Sequence, residues 1–214
     1  MTTQRPRLDD LAKSSTREKI LAVALDLFAE HGFAGTSIRT LARNVGLSES
    51  SLYSHFDSKE AIYTALIDEH GPATSAIRLD AHRYDGFEGD PEGFCRAYAF
   101  DLIRDWSDPI ERKFHELFIT ERNRLPGARE RFANHLFARS QSRVIELFEG
   151  FAAKKLIIDR SPGDTARLFL AGLTFIRVEL FILPSEPPDE EVIARSVEAF
   201  LAHFLGLILL SRPA

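Results

Sequence analysis

The sequence is poor in cysteine and in long apolar runs. Its 214 residues include a single cysteine, Cys95, so the chain can form no internal disulfide and has no CxxC pair for a metal. This usage favours a reducing compartment. The longest apolar run, residues 200–210, is interrupted by His203 and is shorter than the about 20 residues that a membrane span needs. Residues 1–15 contain no apolar stretch of the kind found in signal peptides. We expect a soluble cytoplasmic protein that does not contact a membrane.

The motifs of common enzymes and metal sites are also missing. His115-Glu116 is not followed by the second histidine of an HExxH zinc site, and no Glu-x-x-His pair is repeated as in a di-iron bundle. The sequence has no GxSxG, Walker or GxGxxG loop. Cys95 has no histidine near it in the sequence and is expected to pack rather than to react. These absences predict a protein that is not an enzyme and that uses no cofactor or metal.

Net positive charge is lacking as well, which is unusual for a protein that binds nucleic acid. The chain carries 27 Lys and Arg against 32 Asp and Glu, a formal net charge of −5. Residues 1–60 hold eight residues of each sign, so the excess of negative charge lies entirely in residues 61–214. Of the 17 phenylalanines, three lie in the first of these segments. A small neutral head therefore precedes an acidic, phenylalanine-rich body.

Hydrophobic spacing predicts an all-α protein with about nine helices. Ser15-Thr-Arg-Glu18 has the form of a capping box and opens the first helix. A second capping sequence, 57–60, starts a long helix that runs toward about residue 83, and the loop 84–91 is the expected edge of a domain. No stretch alternates with a period of two for long enough to form a strand. Five further helices are expected at 91–106, 109–124, 127–153, 162–183 and 188–211.

Two short helices are predicted between the first helix and the long one. Thr36 or Ser37 can cap the earlier helix and Ser48 the later one, which runs to about residue 56. Gly46 supplies a turn conformation that residues with a Cβ adopt poorly. Two short helices joined by a turn at Gly46 are typical of a helix-turn-helix. The outward face of the later helix is small and rich in hydroxyl groups, so it can enter a DNA major groove. The motif alone leaves two interpretations open, DNA binding and simple packing.

Several segments of the head match one family at the expected separations: residues 20–33, residues 36–47, Leu52-Tyr-Ser-His-Phe56 and Ser58-Lys-Glu60. Through them, residues 15–67 resemble the DNA-binding domain of the tetracycline-repressor (TetR) family of bacterial transcription regulators. The resemblance implies a flexible arm (1–14), a helix-turn-helix domain (15–60) and a ligand-binding and dimerisation body (61–214). It also implies a repressor that binds double-stranded DNA at a palindromic operator as a homodimer and is released by a small-molecule effector.

The resemblance assigns DNA contacts by position. Thr36, Tyr53 and Lys59 would hold phosphates, and His55 would lie at the backbone or a base. Glu49 departs from the family pattern: facing a phosphate it would weaken binding, whereas facing a cytosine amino group it could select sequence. Tyr53 as a half-buried core residue and His55 as a plain surface residue remain alternatives. The complete set of candidates is Thr36, Ser37, Arg39, Arg43, Ser48, Ser50, Ser51, Tyr53, Ser54, His55 and Lys59.

The aromatic residues of the body are expected to form mostly core, and the resemblance adds an effector cavity among them. A cavity with so many rings would favour an apolar or aromatic molecule. Arg177 and Glu179, inside the apolar helix 162–183, are interpreted as solvated or interface charges rather than ligand contacts. The candidates for the cavity are Tyr98, Leu102, Trp106, His115, Phe118, Phe148 and Phe175.

The last two predicted helices are apolar nearly all round, which indicates burial on more than one side. A second copy of the chain is the expected cover; the alternative is that helices 91–106 and 127–153 cover them within a monomer. The chain as a whole has a second interpretation too, a helical dimer that binds a ligand or a protein partner and no operator. The expected interface residues are Val178, Phe181, Val197, Phe200, Phe204 and Leu207.

Overall fold

A computed structural model of the chain describes residues 15–70, 81–121, 139–158 and 161–210. All regular elements in these ranges are helical, apart from an isolated antiparallel bridge between Ile157 and Leu209, so the predicted all-α class is confirmed. A short 3-10 helix occupies Ala81–Tyr84, and a π-helical turn occupies Val178–Ile182. The α-helices in the described ranges are α1 (Thr16–Gly35), α2 (Ile38–Val45), α3 (Glu49–Tyr53), α4 (Lys59–His70), α5 (Pro91–Ser107), α6 (Pro109–Glu121), α7 (Arg139–Ala153), α8 (Pro162–Arg177) and α9 (Glu190–Ile208).

Serine side chains cap the first four helices. In each case the hydroxyl oxygen accepts a hydrogen bond from a backbone N–H in the first helical turn, a group that has no partner within the helix. Such a cap stabilises a helix by about 1 kcal/mol. The predicted capping box at the start of α1 is confirmed, whereas α4 is capped by Ser58 and not by Asp57. The caps and the residues that donate to them are Ser15 (Glu18), Ser37 (Thr40), Ser48 (Ser51) and Ser58 (Ala61).

Several helices differ in extent from the sequence-based expectation. Helix α3 ends at Tyr53, before the expected end near residue 56. Helix α4 is described as far as His70, and residues 81–84 form a 3-10 helix, so an uninterrupted α-helix does not reach residue 83. Helix α8 changes to π geometry after Arg177. The expected helix 127–153 is described from residue 139 onward, because residues 122–138 lie outside the described ranges.

The described residues fall into two compact units, and the first contains residues 15–70 and 113–121. In this unit α1 packs against α2 and α4, and Ile20, Phe28 and Leu41 are fully buried. The unit thus takes in α4 and the C-terminal part of α6, and it extends beyond the head of residues 15–60 that the sequence suggests. A helical break at Gly32 (φ 73°) separates the body of α1 from its last turn.

A buried carboxylate holds this break in place. The side chain of Glu121, on α6, is fully buried, and its Oε1 accepts a hydrogen bond from the backbone N–H of Phe33 at 3.1 Å. A Cβ at Gly32 would lie 3.2 Å from the same oxygen. The two bonded residues are 88 positions apart, so no local sequence pattern predicts the contact.

The second unit contains residues 81–112, 139–158 and 161–210 and has a core of aromatic rings. The ring of Phe169, on α8, has its centre 5.2 Å from that of Phe204 on α9 and 5.9 Å from that of Phe148 on α7. Helix α5 adds Phe94 and Tyr98 to the same cluster. These rings explain why the phenylalanines are concentrated in the body.

An ionic network ties the 3-10 helix to α5 within the second unit. Arg83 and Arg104 both form ion pairs with the carboxylate of Asp101, and the buried Tyr84 hydroxyl donates to its Oδ2 at 3.0 Å. Burial raises the pKa of the Asp101 carboxyl, but the hydrogen bonds from Arg83 and Tyr84 lower it by more, so the net shift is downward. The carboxylate is therefore held in its charged form.

Candidate DNA-binding interface

Helices α2 and α3 form the two arms of a helix-turn-helix. Gly46 ends α2 in the left-handed region (φ 78°, ψ 30°), where a residue with a Cβ would be strained. The backbone closes the turn, since the N–H of Leu47 donates to the carbonyl of Ala42 at 2.8 Å. Leu41 and Leu52, one from each helix, are fully buried. The turn that the sequence predicts at Gly46 is confirmed.

One face of α3 is exposed and carries hydroxyl groups. Ser48 Oγ lies 2.9 Å from Ser50 Oγ and 2.8 Å from Ser51 Oγ, and all three side chains are exposed. Ser54 and His55, which follow the helix, are also exposed, and Tyr53 is 48% exposed, outside the core. A serine hydroxyl both donates and accepts, so this hydroxyl face presents both kinds of group to solvent.

Arginine side chains supply positive charge on the preceding helix. Arg39 and Arg43 lie four positions apart on α2, so they project from the same side of it, and both are exposed. Neither forms an ion pair with another described residue. Ser37, which caps α2, is exposed beside them. Glu49 is exposed in the first turn of α3.

Two of the residues expected to contact phosphates instead form hydrogen bonds inside the first unit. Thr36 is 1% exposed, and its hydroxyl lies 3.0 Å from the carbonyl oxygens of both Leu27 and Gly32. Lys59 Nζ donates to the carbonyls of Phe33 at 2.6 Å and Thr36 at 2.7 Å. These bonds satisfy carbonyls that α1 leaves open at its end. The placement of Thr36 therefore gives no support to a phosphate contact by its side chain.

Of the residues expected to line an effector cavity, some are buried in the core, some are partly buried and one is exposed at the surface. Tyr98 and Phe148 are buried in the ring cluster, and Leu102 and Trp106 are partly buried against it. Phe175 is 67% exposed on α8, which is a surface position and not a cavity wall of this chain. The side chains of His115 and Phe118 lie outside the described residues.

The candidates for an interface between copies divide in the same way. Val197 and Phe204 lie in the core of the second unit, so the expectation that they face another copy is not supported by their burial. Leu207 is 57% exposed, and the side chains of Val178, Phe181 and Phe200 are partly buried. Leu168, which is not among the expected interface residues, is 58% exposed and lies seven positions before Phe175 on α8. We call Leu168, Phe175 and Leu207 the α8–α9 surface.

The described residues contain neither a candidate membrane span nor a candidate metal site. No helix among them is long and apolar enough to cross a membrane. Nor do three or more His, Cys, Asp or Glu side chains in the ranges given above come together as a metal site would require.

Comparisons with known proteins concern the head most directly. Residues 20–66 match a family model described as bacterial regulatory proteins, tetR family. The transcriptional repressor KstR2 of Rhodococcus jostii is 40% identical over 65 residues, which is 30% of this chain and 32% of that protein. The negative transcriptional regulator IcaR of Staphylococcus aureus is 45% identical over 125 residues, 58% of this chain and 61% of that protein. The chain thus spans less than two thirds of either relative.

A solved structure extends the likeness to most of the chain. A TetR-family transcriptional regulator from Mesorhizobium loti superposes with a TM-score of 0.71 at 22% identity, covering 91% of this chain and 97% of its own. At this identity the likeness concerns the fold. The helix-turn-helix geometry and the match over residues 20–66 assign the head of the chain to the TetR family of bacterial regulatory proteins, and the body shares the all-helical fold of a solved member of that family.

Proposed function

We propose that the protein is a transcriptional repressor that binds a palindromic operator as a homodimer and is released by a small, largely apolar or aromatic effector. As a member of its family it is a regulator and not an enzyme. The observation that carries the proposal is the exposed hydroxyl face of α3, held at a fixed angle to α2 by the turn at Gly46. Repression is the role named for both KstR2 and IcaR. Such a role places the protein in the cytoplasm, with the chromosome.

The side chains on α3 would read the base edges. A helix of this size enters the major groove, where each base pair shows a distinct set of donors, acceptors and methyl groups. Ser48, Ser50, Ser51 and Ser54 are exposed and offer both donors and acceptors. His55 would contact a base or the backbone.

Phosphate contacts would fix the head on the duplex. Arg39 and Arg43 can reach phosphates from α2, and Tyr53 and Ser37 can donate hydroxyl hydrogen bonds to them. The first N–H groups of α2 and the positive end of its dipole also favour a phosphate. Lys59 would contribute mainly by holding α1 and α4 together, as its bonds to Phe33 and Thr36 indicate.

Dimerisation would compensate for the lack of net positive charge on one head. Phosphate contacts supply much of the affinity of a DNA-binding protein, and residues 1–60 carry no net charge. A second head on the same dimer binds at a high effective concentration. Two heads also require two half-sites, separated by roughly 34–36 Å or a multiple of one helical turn.

The α8–α9 surface supports the proposal that a second copy of the chain covers the exposed apolar residues of α8 and α9. Leu168 and Phe175 are large apolar side chains on one face of α8, and more than half of the surface of each is exposed. Contiguous apolar side chains of this kind mark interaction sites on soluble proteins. Val178, Phe181 and Phe200, which are partly buried, would complete the contact at its edge.

Effector binding in the body would act on the heads through linkage. Tyr98, Leu102 and Trp106 follow one another at intervals of four on α5 and so lie along one stripe of it. An effector bound there would shift the equilibrium toward a state with a different head spacing. Because the coupling is reciprocal, operator DNA must weaken effector binding by the factor by which effector weakens operator binding.

The proposal is tested by binding of the full chain to DNA from upstream of its own gene, across a salt series. We expect saturable binding. The logarithm of its association constant should fall linearly with the logarithm of the salt concentration, with a slope of about −0.9 for each phosphate neutralised. Tyr53→Ala and Arg43→Ala should weaken it, and Arg43→Ala should also reduce the slope. The matched control is Arg195→Ala, which removes an exposed arginine from α9.

Equal binding by all variants, or binding that ignores sequence, would contradict the proposal for that DNA. The second interpretation, a helical dimer that binds a ligand or a protein partner without an operator, predicts such a result. It also predicts that the nuclease-treated protein is free of DNA when purified and does not bind its own promoter region.

A further inference from the structure

Arg177 and Trp106 form a stacked pair in the second unit. Arg177 is the last residue of α8, and its guanidinium carbon lies 5.3 Å from the centre of the Trp106 ring on α5. The Trp106 ring lies 5.9 Å from the ring of Phe181, which belongs to the π-helical turn that continues α8. The guanidinium is therefore held against the Trp106 ring, which in turn packs against Phe181.

The surroundings of this guanidinium are unfavourable for an unaccompanied charge. Arg177 is partly buried. Burial lowers the pKa of its guanidinium, and the negative charge of Glu111 offsets part of this shift. Glu111 is itself buried, at 6% exposure, and it forms no ion pair with Arg177. A guanidinium in such a place has lost water without gaining a full set of partners.

Arg177 differs in this respect from other arginines of the same unit. Arg83, Arg96 and Arg104 all form ion pairs with carboxylates. Arg177, by contrast, makes no hydrogen bond and no ion pair to any residue in the described ranges, although it carries five N–H donors in a fixed plane. Its N–H groups are therefore available to donate hydrogen bonds to the oxygen atoms of a ligand.

We propose that Arg177 and Trp106 bind the carboxylate end of a small aromatic effector. This inference rests on the proposed function, in which the body binds an effector, and it names the chemical class of that effector. A carboxylate matches the guanidinium fork with two parallel N–H···O bonds. The aromatic part of the ligand packs beside Trp106 and Phe181, where ring contacts add to the apolar burial.

The charge of the ligand also accounts for selectivity. The residues after the head carry the negative excess of the chain, and Glu111 adds a buried negative charge near the site. These groups repel an anion that does not reach Arg177. A ligand whose carboxylate does reach it replaces the hydrogen bonds that the guanidinium lost on burial, so the anion is bound at this point and disfavoured elsewhere.

The position of the pair connects this site to the proposed regulation. Arg177 lies two residues after Phe175, which belongs to the α8–α9 surface, and directly before the π-helical turn. Turns of this type interrupt regular α-helices and are frequent at functional sites. A ligand on Arg177 therefore acts on the same helix that presents the surface to a second copy.

Trp106 is the only tryptophan in the chain, so its fluorescence reports on this site alone. The full-length protein is titrated with benzoate and, as the matched neutral probe, with benzamide. We expect saturable quenching by benzoate and at least about tenfold weaker binding of benzamide, which corresponds to about 1.4 kcal/mol. Equal binding of the two probes, or no saturable response to benzoate, would overturn the proposal.

Variants separate a ligand contact from a structural charge. Arg177→Gln should abolish the preference for benzoate, and Arg177→Lys should keep part of it, because the charge remains and the fork is lost. Glu111→Gln should strengthen benzoate binding several-fold, since it removes a like charge. A preference that survives Arg177→Gln, or benzoate binding weakened by Glu111→Gln, would contradict the proposal. The lysine and Glu111 variants keep the test valid if Arg177→Gln does not fold.

Failure of this inference is distinguishable from failure of the proposed function. Benzamide binding equal to benzoate binding would leave an effector site without the anion contact. DNA binding is measured separately on the same preparations. If the protein binds no operator but still prefers benzoate to benzamide, the site at Arg177 and Trp106 remains supported.

Discussion

At the scale of single residues, Lys59 and Thr36 both form hydrogen bonds that hold the end of α1. Lys59 and Thr36 were expected at phosphates because of their positions in the family pattern. The structure instead joins both to the end of α1, where Lys59 Nζ bonds the carbonyls of Phe33 and Thr36. These partners are separated from Lys59 by 26 and 23 positions, and no periodic pattern encodes such a pairing.

Lys59→Ala is therefore expected to destabilise the fold. It removes the charged donor from the carbonyls of Phe33 and Thr36, and the Phe33 carbonyl then keeps only the 3.4 Å hydrogen bond from the Thr36 N–H. Hydrogen bonds that involve charged groups contribute about 1.5–3 kcal/mol. We expect a loss of about 2 kcal/mol in the free energy of unfolding, measured by urea denaturation. The control is Lys154→Ala, which removes one bond to the carbonyl of Glu88 at an exposed site. Unchanged stability with lost DNA binding would show that Lys59 serves only phosphate.

Glu49 gives a second prediction at this scale. Its carboxylate is exposed in the first turn of α3, so in the proposed complex with DNA it would place a negative charge close to phosphates whatever the base sequence. Glu49→Gln should raise the affinity for random-sequence DNA by a few fold at low salt, measured by fluorescence anisotropy, with Glu190→Gln in the body as control. If Glu49 also reads a cytosine, the same variant should lose preference at one position of each half-site. Unchanged or weaker binding to random-sequence DNA would contradict this expectation.

At the scale of helices, local signals were informative and long-range geometry was not. The caps at Ser15 and Ser48 and the turn at Gly46 follow from residues within one turn of each feature, and the structure has them where the sequence indicates. The π-helical turn after Arg177 and the hydrogen bond from Phe33 to Glu121 depend on packing between distant segments. Helix propensity and capping carry no information about such contacts.

Gly172 provides a test of packing between two helices. A Cβ at this position of α8 would overlap the ring of Phe200 on α9, so Gly172→Ala forces the helices apart or displaces the ring. Overpacking of this kind costs about 1–3 kcal/mol. Gly150→Ala on α7 is the control, because a Cβ there meets nothing within 4 Å and alanine is the better helix former. Chemical denaturation should show a loss for the first variant and none for the second; equal stabilities would disprove the close approach.

At the scale of the whole molecule, burial separates core residues from exposed residues in a way that apolar periodicity alone does not. The last two helices were expected to face a second copy, and six apolar residues were assigned to the contact. The structure places Val197 and Phe204 in the core and exposes Leu168 and Phe175. Each helix has more than one apolar face, so sequence spacing cannot tell which of them meets the core.

The α8–α9 surface predicts the oligomeric state. A negative charge within an apolar interface has no partner and is costly to bury, so Leu168→Glu combined with Phe175→Glu should convert a dimer into a monomer at micromolar concentration. Sedimentation velocity measures the change, and circular dichroism checks that the helices persist. The control, Ile158→Glu, alters a residue of similar exposure outside these helices. A wild-type protein that is monomeric at the same concentration would contradict the prediction.

The measurement that tests the proposed function most directly is selection of binding sites for the full-length protein from a library of random double-stranded DNA. We expect enriched sequences that form an inverted repeat, occupied by two or more copies of the chain, with half-sites roughly 34–36 Å or a multiple of one turn apart. Ser50→Ala should change the preferred bases while leaving the spacing of the half-sites intact. A library that shows no enrichment over several rounds, with a folded dimeric protein, would contradict operator binding.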